Sequence, residues 1–179
     1  MDFRDLIWNR RSFRQFSDRE IAPDDVVNIL QAALISPSSM NRRSWNFVVV
    51  DDRADLEKLS DAKEHGAKLI EGAAMAVVVA VNETTNSCWV EDASIAAVSM
   101  QYAAAEQGIG SCWVEMRNRY LADGTEAEEV VRGILDIPED MRILCVVAFG
   151  YPGEEKPRHH EEELKWEQVH IGKFGVPIE

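Results

Sequence analysis

A cluster of arginines surrounds one serine close to the start of the chain. The stretch NRRSFRQF places Arg10, Arg11 and Arg14 around Ser12. Positive charges this close repel one another unless solvent, carboxylates or a bound anion compensates them. Arginine also presents a planar fork of donors that suits phosphate. The cluster therefore predicts either a phosphate-binding segment or a solvated surface balanced by nearby acids, which would be Asp2, Asp5, Asp18 and Glu20.

Two further polar segments have side chains that could bind a ligand. The loop SPSSMNRRSW, residues 36–45, offers hydroxyl, amide and guanidinium donors beside an aromatic ring. Late in the chain, Lys156 and Arg158 form a second basic pair. Both segments also have a simpler interpretation. The loop could be an ordinary polar connection, and the basic pair could be solvated charge beside Glu154 and Glu155.

Other catalytic motifs are absent or misplaced. The stretch GIGSCW, residues 108–113, fails as a dinucleotide fingerprint, because that motif follows a strand and opens a helix, and because Trp113 stands where its third glycine belongs. The sequence contains no P-loop, zincin or nucleophile-elbow motif. Its three cysteines lack metal-ligand spacing. The adjacent His159 and His160 would point to opposite faces of an extended backbone. We therefore predict no metal site.

The composition is typical of a globular protein that binds neither nucleic acid nor membrane. Hydrophobic residues make up 46% of the chain and the formal net charge is −13. This charge would repel nucleic acids and anionic membranes. The longest uncharged apolar run, residues 73–81, is far shorter than the roughly 20 residues that cross a bilayer, and the N-terminus has no signal-like apolar segment. We expect a soluble, cytoplasmic protein.

Helix and strand patterns alternate along the chain. Apolar residues at helical spacing predict helices at residues 2–10, 23–36, 53–62, 91–108 and 126–135. Runs rich in β-branched and aromatic residues predict strands at residues 45–50, 76–81, 111–115 and 143–149. The second strand lacks polar alternation, which indicates cover on both faces. The alternation favours layered α/β packing in one domain, residues 1–179. Within it, the charged segment 151–179 is expected to be an arm that packs on a partner subunit.

Four segments together resemble the nitroreductase family of FMN-dependent oxidoreductases. RRSFR resembles the family's RRSxR phosphate motif, and SPSSMNRRSW resembles its SPSxxNxQPW loop. EDASIAAVSMQYAAAEQGIGSCWV resembles DxxxAAxxxxLAAxxxGLGxCWI, and FGYPGEEKPR resembles GYPxExxxxR. The four lie in register over nearly the whole chain. The resemblance implies an α+β fold with a mostly antiparallel or mixed sheet of four to five strands flanked by helices, in a homodimer with an exchanged C-terminal segment.

The resemblance also implies an FMN site at the dimer interface. The flavin phosphate or ribityl chain would contact Arg10, Arg11, Ser12, Lys156 and Arg158 of one subunit. The partner subunit would contribute Pro37, Ser38, Ser39 and Asn41. Arg14 would lie near the pyrimidine edge of the ring, and the backbone of Glu115 or Met116 would reach flavin N5. No side chain would be catalytic.

The implied enzyme transfers electrons from NAD(P)H to nitroaromatic, quinone or related acceptors by a ping-pong mechanism. Two alternatives stay open, a specialised member fed by another donor such as ferredoxin and a flavin-binding or carrier protein without this activity. Two departures from the family pattern are visible. Arg43-Ser44 replaces the family's Gln-Pro before Trp45, and Lys68 is the only candidate for a lysine expected near the second strand.

Overall fold

A four-stranded sheet lies at the centre of the computed structural model, which describes residues 2–177. Its strands are β1 (Trp45–Val50), β2 (Met75–Val81), β3 (Gly110–Glu115) and β4 (Arg142–Gly150). Their order is β1-β2-β4-β3, and every neighbouring pair is antiparallel. This confirms the expected mostly antiparallel or mixed sheet of four to five strands, which here has four strands, all antiparallel.

Helices cover both faces of the sheet. They are α1 (Phe3–Asn9), α2 (Pro23–Leu34), α3 (Arg53–Ser60), α4 (Trp89–Glu106) and α5 (Ala127–Leu135). On one face, α2 and α4 pack through residues such as Ile29 and Met100, and on the other, α3 and α5 pack through Leu56 and Val131. All seven residues of β2 are buried between these layers, as the absence of polar alternation predicts.

Local sequence explains where two of these helices begin or end. α2 begins at Pro23, whose fixed φ suits the first helical turn, and Asp24 and Asp25 follow where the helix dipole favours acids. α4 ends just before Gly108, which has a φ of +73°. Glycine adopts this left-handed conformation without steric cost, so it allows the chain to leave the helix and enter β3.

The helices of residues 2–177 include none that is both long enough and apolar enough to cross a membrane.

Candidate functional site

β3 is an edge strand, and one side of its backbone is not covered by another strand of the described sheet. The Met116 amide, just beyond the strand, donates to the Leu144 carbonyl at 3.1 Å. Alternate residues of an antiparallel pair direct their backbone groups to the neighbouring strand. By this alternation, the backbone groups of Ser111, Trp113 and Glu115 face the free edge. Of the two positions predicted to reach flavin N5, Met116 therefore uses its amide inside the sheet, whereas the Glu115 amide points outward.

The arginine-rich segment runs along this free edge. The Phe13 amide donates to the Ser111 carbonyl at 3.0 Å, and Ser12 and Ser111 form a parallel bridge. Gly110 makes this close approach possible, because a Cβ there would lie 2.9 Å from the Phe13 ring. Ser12 and Phe13 are therefore held against β3 by backbone contacts.

The segment after β4 runs antiparallel beside the end of the arginine-rich segment and contacts it. Lys156 Nζ donates to the Ser12 carbonyl at 2.8 Å. The Gly153 amide donates to the Gln15 carbonyl at 2.9 Å. These contacts bring together Ser12 and Lys156, which are far apart in sequence and belong to different predicted motifs.

Four cations lie close enough to the buried thiol of Cys112 to act on its pKa. Burial raises this pKa, and nearby positive charges oppose the rise. These charges belong to Arg14, Lys156, Lys63 and Arg10. Cations from three distant parts of the sequence are therefore within electrostatic range of the same thiol on β3, and their charge favours an anionic ligand at this edge. We call Arg10, Arg14, Lys63 and Lys156 the cation cluster.

Lys63 is the member of this group that the sequence did not single out. Its Nζ donates to the Glu115 carbonyl at 2.8 Å, on the residue whose amide faces the free edge. Partial burial lowers the pKa of Lys63, and the charge of Arg119 acts in the same direction. Lys68, the candidate suggested by the sequence, instead lies exposed and pairs with Asp61 at 2.6 Å.

Two further predicted phosphate ligands, Arg11 and Arg158, lie in different places. Arg11 Nη1 donates to the Pro157 carbonyl at 2.6 Å. Arg158 lines an open groove beside α1 together with Asp5. Arg10 and Arg11 both line a different cavity, of about 200 Å³, between α1, α4 and β3. Arg10 and Arg11 are therefore neighbours at one cavity, whereas Arg158 would have to turn before it could join them at one phosphate.

The polar loop after α2 is held in an unusual backbone conformation by α4. Three of its residues have left-handed φ values of 52°, 55° and 48°, namely Met40, Asn41 and Arg43. Asp92, which is buried in the first turn of α4, accepts hydrogen bonds from the Ser39 amide at 2.8 Å and from Asn86 Nδ2 at 2.7 Å. The aspartate of the predicted helix motif thus fastens the loop to the start of α4.

Within a single chain, this loop does not contact the arginine-rich segment. Asp92 holds Ser39, whereas Gln101 of the same helix donates to Ser111 at 3.2 Å. These two helix positions are separated by about 14 Å at the rise of an α-helix. Ser39 therefore lies well beyond hydrogen-bond reach of Ser12.

Comparison with known proteins points to one family. The family model described as the nitroreductase family matches residues 7–86 and 62–151. A protein of Archaeoglobus fulgidus, provisionally named NADH dehydrogenase/NAD(P)H nitroreductase, is 37% identical over 173 residues, which cover 94% of this chain and 97% of the relative. A protein of Methanothermobacter thermautotrophicus with the same provisional name is 34% identical over 157 residues, covering 86% of this chain and 79% of the relative.

A solved structure agrees with this assignment. It is the FMN-dependent nitroreductase of Clostridium difficile R20291, with a TM-score of 0.93 and 38% sequence identity, and the match covers 94% of this chain and 98% of that one. Both the sequence and the fold therefore support the resemblance drawn from the four motifs. The chain belongs to the nitroreductase family.

Proposed function

We propose that this protein is an FMN-dependent oxidoreductase that passes electrons from NAD(P)H to nitroaromatic, quinone or related small-molecule acceptors by a ping-pong mechanism. The observation that carries the proposal is the contact of Lys156 with the Ser12 carbonyl. This contact joins the first and last predicted motifs beside a cluster of cations. The names of the similar proteins, an FMN-dependent nitroreductase among them, point to the same chemistry.

The residues at the cation cluster fit the phosphate of FMN. Arg10 and Lys156 would form charge-assisted hydrogen bonds to its oxygens, and the Ser12 hydroxyl would add a further donor. The Lys156 ammonium has three protons, and its contacts with the Ser12 carbonyl and Glu154 Oε1 use two of them. Arg11 would complete this set after leaving the Pro157 carbonyl, and Arg158 after turning from its groove beside α1.

The free edge of β3 fits the flavin ring. When bound, FMN would accept a hydride equivalent from NAD(P)H at N5 and pass electrons to the acceptor. The outward-facing Glu115 amide would donate to N5. Lys63 and Arg14 would supply positive charge at the pyrimidine edge, where they would stabilise negative charge that develops on reduction. The protein would thus bind, orient and polarise the cofactor without a catalytic side chain.

A homodimer would complete the site. In this arrangement the partner subunit contributes the loop of Pro37, Ser38, Ser39 and Asn41, which the single chain holds away from Ser12. Large apolar side chains on the described chain are also exposed, including Ile35 at 75%, Met40 at 82% and Phe174 at 93%. Such exposure is typical of surfaces that another chain covers. The segment from residue 151 onward would pack on the partner as an arm.

Anaerobic reduction of the purified protein tests this function. We expect the protein to bind FMN, NADH or NADPH to bleach the visible flavin absorbance, and a nitroaromatic or quinone to restore it. Bound flavin that neither nucleotide reduces would favour another electron donor or a carrier role. A protein that takes up no FMN would contradict the proposal.

A further inference from the structure

Glu154 is a carboxylate within the proposed phosphate-binding region. Its Oε1 accepts hydrogen bonds from the Arg14 amide at 2.7 Å and from the Gln15 amide at 3.3 Å. The same oxygen lies 3.3 Å from Lys156 Nζ. A negative charge at this place would repel a phosphate and weaken the attraction of Lys156 for it. The carboxylate therefore opposes phosphate binding electrostatically, and its contacts point to a different contribution.

The two amides bound by Glu154 lie between two backbone contacts. On one side, the Phe13 amide is bound by the Ser111 carbonyl, and on the other, the Gln15 carbonyl is bound by the Gly153 amide. Glu154 accepts the hydrogen bonds of the two amides in the stretch between these contacts. The hydrogen bond from the Arg14 amide is the main reason that the pKa of Glu154 lies below its ordinary range, and Lys156 adds to the effect. Glu154 is therefore ionised at neutral pH.

We infer that Glu154 is a positioning residue for the FMN site, and that FMN binding requires its Oε1 atom as a hydrogen-bond acceptor and does not require its negative charge. Oε1 fixes the backbone of Arg14 and Gln15, and with it the direction in which the Arg14 guanidinium leaves the chain. The inference rests on the proposed FMN site.

The geometry allows the acceptor and the charge to be separated. All three contacts of Glu154 use Oε1, so Glu154→Gln keeps the acceptor and removes the charge. Glu154→Ala removes both. The two variants lose the same charge, so any difference between them measures the hydrogen bonds. Glu155→Ala is the matched control, because the exposed Glu155 side chain has no hydrogen bond or ion pair to any described residue.

Calorimetric titration of the flavin-free proteins with FMN tests the inference. We expect Glu154→Ala to bind FMN on the order of tenfold more weakly than wild type or Glu155→Ala, since it loses hydrogen bonds to a charged acceptor. Glu154→Gln should bind within about threefold of wild type, or more tightly, because repulsion of the phosphate is relieved. Equal losses in the Gln and Ala variants, or no loss in the Ala variant, would overturn the inference.

Amide hydrogen exchange tests, without flavin, whether Glu154 fixes the Arg14 and Gln15 amides. We call these two hydrogen bonds the Glu154 clamp. In the flavin-free protein, the Arg14 and Gln15 amides should be protected in wild type and Glu154→Gln, and should exchange about tenfold faster in Glu154→Ala. Unchanged exchange in Glu154→Ala would overturn the clamp. A wild-type protein that fails to bind FMN would instead contradict the proposed function, and exchange would still decide whether the clamp exists. Thermal unfolding of each variant checks that it is folded.

Discussion

The backbone of Glu115 contacts the Lys63 ammonium on one side of its residue and has an amide that points out of the sheet. Its carbonyl accepts a hydrogen bond from Lys63, and its amide faces the free edge of β3. In the proposed complex, the ammonium lies beside the part of the flavin that gains negative charge on reduction. A fixed cation there stabilises the reduced cofactor more than the oxidised one. Lys63 should therefore raise the reduction potential of bound FMN.

Replacing Lys63 with glutamine tests this effect. We expect Lys63→Gln to lower the two-electron midpoint potential of bound FMN by on the order of 30–60 mV, which corresponds to about 1.4–2.8 kcal/mol. Spectroelectrochemical titration measures this change. Lys68→Gln removes the same charge from an exposed lysine that is paired with Asp61 and should leave the potential unchanged. Equal potentials in wild type and Lys63→Gln would place Lys63 outside the flavin site.

The sequence indicates some site residues and misses others for a physical reason. Arg10, Ser12 and Lys156 stand in recognisable motifs, so the sequence alone makes them candidates. Lys63 has no such motif, and its contact with Glu115 depends on which backbone groups face the free edge of β3. That orientation follows from long-range strand pairing, which local spacing does not specify.

Among the structural elements, the segment after β4 depends on glycine to approach the arginine-rich segment. A Cβ on Gly150 would lie 2.9 Å from Cδ1 of Phe16 and 3.0 Å from Cβ of the same side chain. Atoms this close force a shift of the aromatic ring or of the backbone. Residues 12–16 would then move relative to Lys156, and phosphate binding would be affected together with stability.

Gly150→Ala should lower the free energy of unfolding by about 1–3 kcal/mol through overpacking, and should also weaken FMN binding. Denaturant unfolding and FMN titration measure the two effects. Gly133→Ala is the control, because Gly133 lies within α5 with nothing near its added Cβ. That variant should be more stable by about 0.5–1 kcal/mol. A Gly150→Ala protein with wild-type stability would show that the packing of Phe16 does not require glycine at position 150.

The start of α5 is joined to β4 by an ion pair between the buried Glu128 carboxylate and the partly exposed Arg142. Glu128 accepts hydrogen bonds from Arg142 Nε at 2.9 Å and Arg142 Nη2 at 2.8 Å, and from the Ile143 amide at 2.9 Å. Burial alone would raise the pKa of Glu128, but the hydrogen bonds and the charge of Arg142 hold it below its ordinary value. The pair therefore stabilises the fold above the unfolded-state pKa of glutamate, about 4.3, and loses this effect as pH falls through the lower folded-state value.

Glu128→Gln should reduce the free energy of unfolding by about 2 kcal/mol at neutral pH, the scale of a hydrogen bond to a charged group. The difference from wild type should shrink as pH falls below about 4. Denaturant unfolding at several pH values measures this dependence. Glu129→Gln, at the exposed neighbouring position, should stay close to wild type. A difference for Glu128→Gln that is constant with pH would contradict the assignment.

Most element boundaries could be predicted because local patterns specify them. The run WNFVVV predicts a strand at residues 45–50, where β1 lies, and α2 begins at Pro23 as its sequence pattern predicts. α4 begins at Trp89, two residues before the predicted start. Its N-cap residue, Cys88, makes no side-chain cap hydrogen bond, so the sequence does not mark this boundary. The hydrogen bond from the Ser39 amide to Asp92 could not be predicted, since it joins a helix start to a loop more than fifty residues earlier.

For the molecule as a whole, the proposed dimer places Arg10 of one subunit and Asn41 of the other in the same site. Arg10→Ala alone, or Asn41→Gly alone, would damage both sites of a homodimer. A mixed dimer of the two variants would carry both defects in one site and none in the other. Glycine is the suitable replacement for Asn41, because it accepts the φ of 55° found there.

Differently tagged copies of these two variants allow the mixed dimer to be purified. We expect it to bind about one FMN per dimer with wild-type affinity, whereas each variant homodimer binds FMN weakly. Calorimetric titration gives both the affinity and the stoichiometry. A mixed dimer without a tight site would show that the two residues do not belong to sites shared between subunits.

Discrimination between FMN and riboflavin tests the cation cluster most directly, because the two ligands differ only in the phosphate. Calorimetric titration of the flavin-free wild-type protein should show one FMN per chain and riboflavin at least tenfold weaker. Arg10→Ala should lose about 1–3 kcal/mol of FMN affinity and little riboflavin affinity, while the exposed Arg4→Ala should match wild type. Equal affinity of wild type for the two ligands, or no binding of FMN, would contradict a phosphate site built from the two ends of the chain.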